Sequence, residues 1–150
     1  MEPSAKRIRL SPADALAVAR AMLEVARARL ILRRLGAADI SQLNLRAARR
    51  ARGGPPDPGL VRRVARIVPV AARRVPWRSD CLVQAIAAQN WLAAAGVAGQ
   101  IVIGVDRAGS DLESHAWLQV GETIVTGGAV DRYTVFLAGQ GSDAGLLAND

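Results

Sequence analysis

The chain begins with a pattern of apolar and basic positions that recur at helical spacing. Ser11 followed by Pro12 is typical of a helix N-terminus, and Gly36 marks the end of the run after Leu35. Two side-chain types repeat every seven residues in between, leucine at positions 16, 23 and 30 and arginine at positions 20, 27 and 34. The pattern predicts an amphipathic helix whose leucines face a core or a partner and whose arginines form another stripe.

Three more helices are predicted in the first two thirds of the chain. One spans about residues 40–52 and has a heavily basic face. The next follows a Gly/Pro-rich loop at 53–59 and is disturbed near Pro69, because proline removes a backbone donor. The fourth is rich in alanine and spans about residues 81–95, with Ser79 or Asp80 as its N-cap.

The last third of the chain changes to the two-residue alternation of β-strands. Gly121-Glu122 has the length of a tight hairpin turn, and His115, Trp117 and Gln119 share one strand face. Four strands are predicted, at 100–105, 114–120, 123–126 and 133–137. Helices followed by an antiparallel meander indicate the α+β class.

The length and composition fit one compact domain. The chain has 150 residues, of which 51% are hydrophobic, enough to bury a core. We expect three parts, a helical Arg-rich region at 1–76, a mixed core at 77–137 and a loose Gly-rich tail at 138–150. Since neither a secretory signal pattern nor an apolar stretch of about 18 residues occurs, we expect a cytoplasmic protein without a membrane span.

Charge is distributed unevenly between the two halves. Residues 1–79 contain 18 basic and five acidic side chains, whereas residues 80–150 contain two basic and eight acidic ones. A basic half suits an anionic partner, and equally a solvated surface. No aromatic residue stands among the arginines before Trp77, which argues against a platform for single-stranded nucleic acid. Nucleic-acid binding through the basic half is therefore a minor alternative.

The only cysteine and the only histidine both occupy positions suited to catalysis. Cys81 is predicted in the first turn of a helix, where backbone N–H groups favour a thiolate, and His115 lies on a strand that can supply a base. Two such residues are too few for a structural zinc site, and we expect neither a metal nor a cofactor. The simpler interpretation is that Cys81 packs as a small hydrophobe and His115 is structural.

The motifs around these two residues resemble one known family. The run Ser79-Asp80-Cys81-Leu82, the alanine-rich helix after it, and Ser114-His115-Ala116-Trp117-Leu118 before the Gly121 turn are similar to lasso peptide biosynthesis B2 proteins. That family consists of leader peptidases with a papain-related, transglutaminase-like fold. The resemblance covers mainly residues 77–137 and implies a Cys-bearing helix packed on a small antiparallel sheet, after a helical N-terminal part.

The resemblance implies a specific reaction and specific partners. Cys81 would attack the leader peptide bond of a ribosomally made precursor to form a thioester, with His115 as acid and base. The expected partners are the precursor peptide, a separate B1 or RiPP recognition element and, as a further candidate, the lasso cyclase. We further hypothesise that residues 1–76 are a docking region, in which the first helix and its arginines at 20, 27 and 34 bind the recognition element, the acidic parts of the leader, or the cyclase, and that residues 77–137 form the catalytic core.

The third catalytic position departs from the family pattern. Where the family places an aspartate, about a dozen residues after the histidine, this chain has Thr126-Gly127-Gly128. Asp131 is the predicted substitute that orients His115, and Asp111 and Glu113 are further candidates. A backbone carbonyl and the Thr126 side chain are also candidates for this role.

Two other functions fit the same residues. The first is a Cys–His acyltransferase or amidase, which would pass the acyl group to an amine instead of water. The second is a non-catalytic peptide-binding module of the same fold, in which Cys81 is buried and His115 is structural.

Overall fold

The computed structural model describes residues 11–36, 39–51, 55–106 and 111–137. In these ranges four helices precede a four-stranded antiparallel sheet. Their bounds are α1 Pro12–Leu32, α2 Ile40–Arg50, α3 Pro58–Ala72, α4 Cys81–Ala94, β1 Gln100–Asp106, β2 Glu113–Val120, β3 Thr123–Ile124 and β4 Thr134–Leu137. The α+β class is confirmed, and the predicted tail at 138–150 lies outside the described residues.

Local capping explains where α1 begins. The Ser11 hydroxyl accepts a hydrogen bond from Asp14 N, and the Asp14 carboxylate accepts one from Ser11 N, so each residue satisfies a free donor of the other. Arg66 on α3 contacts the same carboxylate at 2.7 Å. This hydrogen bond, with those from Ser11, lowers the pKa of Asp14 to about 2. The capping box therefore also joins α1 to α3.

The buried face of α1 is not its leucine face. Small residues pack against α3 and α4, and they are Ala17, Val18, Ala21, Val25 and Ala28. The leucines at 16, 23 and 30 are 76%, 51% and 59% exposed. Of the two expectations for these leucines, a core or a partner, the structure excludes the core, because small side chains let the helices approach more closely than leucine does.

The third helix differs from its prediction at both ends. It begins at Pro58, inside the segment predicted as a loop, because Asp57 caps it and proline suits the first turn. It continues through Pro69 to Ala72, so the predicted disturbance does not end the helix. Val68 and Ala71, on either side of the proline, are fully buried, and this packing supports the last turn.

The sheet has the order β3-β2-β1-β4. Its fourth strand pairs with β1 and not with β3, so the predicted simple meander is wrong. β2 and β1 form a regular ladder in which Leu118 lies opposite Ile101 and His115 lies opposite Gly104. Leu118 and Ile101 are fully buried in the core between the sheet and the helices. Alternation then places His115 on the other face of β2.

A buried polar cluster joins α2 to the sheet. The Asn44 amide donates to Ile101 O at 3.0 Å, and its oxygen accepts from Ile101 N at 2.8 Å and from Gln89 Nε2 at 2.7 Å. Gln89 also donates to Gly99 O. Asn44 thus pairs with β1 as a neighbouring strand would. No helix within the described ranges is long and apolar enough to cross a membrane.

Candidate active site

Cys81 is the first residue of α4, as the sequence predicted. Of the two predicted N-caps, the structure uses Asp80, whose carboxylate accepts a hydrogen bond from Val83 N at 3.1 Å. Gln84 folds back and donates to Ser79 O, which closes the turn before the helix. The side chain is half-buried at the N-terminus of the helix, where the backbone N–H groups of the first turn have no partner inside the helix.

His115 lies in β2 within a cluster of three rings. Its imidazole stacks against Tyr133 with 4.9 Å between ring centroids, and against Trp117 with 6.2 Å. Gly104, opposite His115 in β1, makes room for this cluster, since a Cβ there would lie 2.8 Å from both Trp117 and Tyr133. The rings and the glycine together limit the orientations that the imidazole can take.

The nitrogen Nε2 of His115 is 2.7 Å from the carbonyl oxygen of Gly127. A carbonyl oxygen only accepts hydrogen bonds, so Nε2 carries the proton in this contact. In the neutral ring Nδ1 is then the nitrogen with the lone pair. The contact thus selects the tautomer in which Nδ1 can accept a proton.

Gly127 holds its carbonyl in place through a backbone conformation that suits glycine. Its φ is +101°, and a Cβ there would lie 2.6 Å from Trp117 Cβ and 3.0 Å from His115 Nε2. Any side chain, an aspartate included, would clash with this arrangement. The absence of a carboxylate from position 127 is therefore consistent with the local geometry, in which the main chain contacts the imidazole.

Thr126, another candidate partner for the imidazole, makes a different contact. Its hydroxyl oxygen accepts a hydrogen bond from Leu118 N at 3.1 Å, and its side chain is buried. Val125 N donates to Leu118 O at 2.8 Å. These two bonds hold residues 125–127 alongside β2 after β3 has ended, and so place the Gly127 carbonyl beside His115.

Asp131 lies in the turn before β4 and is exposed. Among the described residues it makes no hydrogen bond or ion pair, and in particular none to His115. Of the two further candidates, Asp111 is exposed, and Glu113 pairs with Arg132 at 3.3 Å. The orienting role predicted for Asp131 stays a prediction, and the Gly127 carbonyl, which contacts the imidazole, is the competing candidate for that role.

Arg132 connects Glu113 and Asp106 to the ring cluster around His115. Its guanidinium lies over the Tyr133 ring, 4.9 Å from the centroid, and donates to the Tyr133 hydroxyl at 2.6 Å. It also pairs with Asp106 at 3.6 Å. The Tyr133 hydroxyl, and then Glu113, raise the pKa of Arg132 above its usual value. Tyr133, which covers His115, is therefore held at its hydroxyl end.

α4, which begins with Cys81, packs against β2 on the strand face that Leu118 occupies, whereas His115 lies on the other face of that strand. No hydrogen bond joins the Cys81 thiol to His115 within the described ranges. Trp77, four residues before the cysteine, packs against the core, and Trp117 is buried, as expected for scarce aromatic residues. The same ranges contain no cluster of three potential metal ligands.

Sequence reasoning missed two residues around His115, Gly104 and Tyr133, and it named a backbone carbonyl as a partner for the imidazole without assigning that carbonyl to Gly127. A glycine inside a predicted strand, as at position 104, often marks a place where neighbouring groups approach closely. Position 104 therefore carried a local signal for the ring cluster. A glycine pair where a carboxylate is expected was a second signal. Nothing local indicates Tyr133, because it reaches His115 only through the pairing of β4 with β1.

Comparison with known proteins gives one match. The family model described as the transglutaminase-like superfamily matches residues 11–138. No curated protein and no solved structure matches the chain. The matched range begins at the N-cap of α1 and extends past β4, so it includes the helical part as well as the segment that carries Cys81 and His115.

Proposed function

Since the chain belongs to the transglutaminase-like superfamily, whose members are in general cysteine-dependent hydrolases and transferases, we propose that it is a cysteine peptidase. In this proposal Cys81 is the nucleophile and His115 is the general base and acid. The observation that carries the proposal is the hydrogen bond from His115 Nε2 to the Gly127 carbonyl. This bond leaves Nδ1 with the lone pair that a base needs.

Acylation begins when Nδ1 of His115 takes the thiol proton and the thiolate attacks the carbonyl carbon of the scissile peptide bond. The oxyanion that forms needs hydrogen-bond donors. The backbone N–H of Cys81 is one, because N–H groups of the first helical turn have no partner inside the helix. The C–N bond then breaks, the imidazolium gives its proton to the leaving amine, and the acyl group remains on Cys81 as a thioester.

Hydrolysis of the thioester uses the same two residues in reverse. His115 Nδ1 takes a proton from water, the resulting hydroxide attacks the thioester carbonyl, and the C–S bond breaks. The thiolate and the imidazolium are restored as a pair, and the peptide acid leaves. The Gly127 carbonyl keeps its hydrogen bond to Nε2–H throughout, so the ring holds one orientation while Nδ1 gains and loses a proton.

We further propose that the substrate is the leader–core junction of a lasso peptide precursor, cleaved in the cytoplasm with a separate B1 recognition element. The support is the resemblance of residues 79–82 and 114–118 to B2 proteins. Both runs of residues lie within the range that the family model matches. In this proposal residues 1–76 dock partners and residues 77–137 form the catalytic core. Neither a cofactor nor nucleic acid has a part in the reaction.

Acyl transfer is the second candidate, because the superfamily includes transferases as well as hydrolases. The first half of the reaction would be the same, and the thioester on Cys81 would then react with an amine. Only the acceptor differs between the two functions.

The decisive experiment is mass spectrometry of the precursor peptide after incubation with the protein, with and without its recognition element. The peptidase proposal expects one cut in the leader, no cut with Cys81→Ala, and a faster cut with the recognition element. An added amine that appears in the product would indicate acyl transfer. An intact peptide bound to folded wild-type protein would contradict the proposal and favour the non-catalytic module.

A further inference from the structure

The exposed leucines of α1 and two of its three arginines, Arg20 and Arg27, lie on one face of the helix, whereas Arg29 points elsewhere and donates to Arg78 O. Their positions follow each other at alternating spacings of four and three residues, which keeps them in one row. The row consists of Leu16, Arg20, Leu23, Arg27 and Leu30 on α1, and Arg34 continues the same spacing in the turn that follows the helix. We call it the Leu/Arg stripe. The two separate stripes expected from the sequence are therefore one stripe that alternates apolar and cationic side chains.

A groove lies beside this stripe, between α1, α2 and α4. It contains a cavity of about 490 Å³ whose lining includes Arg20, Arg27 and Leu30 of the stripe. A neighbouring cavity of about 180 Å³ shares Arg50 and Asn90 with it and adds Arg46. The two cavities share lining residues, and we call them together the basic groove.

Two of the arginines are held in place by neighbouring side chains. The Arg20 guanidinium lies over the Trp91 ring, 5.3 Å from its centroid. Arg27 pairs with Glu24 at 3.2 Å, and Glu24 is only 5% exposed. Since part of their side-chain freedom is already lost, binding an anion costs these cations less entropy than it would cost free ones.

The chemistry of the stripe indicates its occupant. The leucines of the stripe can pack against apolar residues of a partner helix, and its arginines can pair with acidic residues at the same spacing on that helix. This is the geometry of helix-in-groove recognition. A second copy of α1 would bring arginine against arginine, which is repulsive. The Glu24 carboxylate in the groove opposes a continuous polyanion such as nucleic acid.

We propose that the Leu/Arg stripe and the basic groove form a docking site for an acidic amphipathic helix of a separate protein partner. The site is distant from the chemistry. Asn90 follows Cys81 by nine residues in α4, which at the helical rise corresponds to about 14 Å. A partner bound there leaves the thiol open to substrate, and the docking does not depend on the proposed peptidase reaction.

The test measures fluorescence anisotropy of a labelled acidic peptide on the full-length protein. The probe is as long as α1, 21 residues, and alternates leucine and glutamate at four- and three-residue spacing. Two stripe variants are compared with wild type, Arg20→Glu/Arg34→Glu and Leu23→Ser/Leu30→Ser. The matched control is Arg62→Glu/Arg74→Glu, which makes the same charge change at exposed positions outside the stripe. Circular dichroism checks that each variant is folded.

The proposal expects saturable binding that weakens with salt, a Kd raised about tenfold or more in either stripe variant, and a control Kd within about twofold of wild type. Binding should be unchanged in Cys81→Ala, so failure of docking and failure of the peptidase proposal are distinguishable. Three results would overturn the proposal. They are equal binding of a scrambled probe, cleavage of the probe by wild type, and stronger binding of duplex DNA or phosphatidylserine vesicles through the same stripe residues.

Discussion

His115 donates a hydrogen bond from Nε2 to the carbonyl oxygen of Gly127, at 2.7 Å, where the B2 proteins that the sequence resembles place an aspartate. A carbonyl is neutral, so it orients the ring and selects its tautomer but stabilises an imidazolium less than a carboxylate does. The main chain can make this contact because Gly127 adopts a positive φ and has no side chain between the carbonyl and the ring. A backbone group thus takes the place of a side chain beside the imidazole.

Gly127→Ala should lower both stability and the rate of precursor cleavage. Its Cβ would lie within 3.0 Å of the imidazole and closer still to Trp117, so either the ring or the backbone must move. Gly128→Ala is the matched control, since its φ of +69° is also unfavourable for alanine but its Cβ meets nothing within 4 Å.

Urea unfolding and cleavage kinetics would measure both effects. Gly128→Ala should lower the free energy of unfolding by about 1 kcal/mol through backbone strain and leave kcat unchanged. Gly127→Ala should lower the free energy of unfolding further and also reduce kcat. Equal kcat for the two variants would contradict an orienting role for the Gly127 carbonyl.

Asp131→Asn should leave kcat/KM for precursor cleavage within about twofold of wild type, because Asp131 is exposed and Nε2 already donates to Gly127. The measurement is the initial cleavage rate across substrate concentrations. A loss of about a hundredfold, with the fold intact, would instead show that Asp131 orients the imidazole during the reaction.

Cys81 should react with iodoacetamide at neutral pH, because its side chain is only half-buried and lies at a helix N-terminus. Cys81 is the only cysteine, so intact mass reports on this one thiol. His115→Ala should slow alkylation about tenfold or more if the imidazole takes the thiol proton. Gln119→Ala, on the same strand, is the control, and equal rates for the two variants would argue against a Cys–His pair.

Asn44→Leu should lower the free energy of unfolding by about 3 kcal/mol. The change leaves Ile101 N and O without their side-chain partner in a buried setting, and Gln89 loses one acceptor. Gln42→Leu on the exposed side of the same helix should change it by no more than about 0.5 kcal/mol. Denaturant unfolding of both variants checks this, and similar losses would show that the cluster adds no stability.

The link between α1 and α3 should weaken in acid. Arg66 and Ser11 hold the pKa of Asp14 at about 2, below the usual 3.8, so the ionised form stabilises the fold above about pH 4 and this stability is lost as the pH falls toward 2. Asp14→Asn should therefore lower the Tm at neutral pH, and the difference from wild type should shrink toward pH 2. A Tm difference that is the same at both ends of this range would contradict the assignment.

Much of the secondary structure could be predicted because its determinants are local. Ser11 and Asp80 cap α1 and α4 through hydrogen bonds that span only three residues, and these caps define where the helices begin. The position of Cys81 in the first turn follows directly. His115 and Trp117 share a face for a similarly local reason, the two-residue period of a strand.

The buried face of α1 could not be predicted in the same way. Its leucines and its small residues both recur at helical spacing, so hydrophobicity favoured the leucines. The choice depended on how closely α3 and α4 approach, and this close packing buries Ala21 and Val25 while Leu16 and Leu23 stay exposed. The same result leaves the Leu/Arg stripe open to a partner.

The sequence by itself determined the α+β class, the helix caps, and the placement of the only cysteine on a helix and the only histidine on a strand, because each of these depends on residues within a few positions of one another. The tertiary structure decided that β4 pairs with β1, that Tyr133 covers His115 and that the Gly127 carbonyl accepts a hydrogen bond from its Nε2. These contacts join residues that are distant along the chain, and only the packed sheet brings them together.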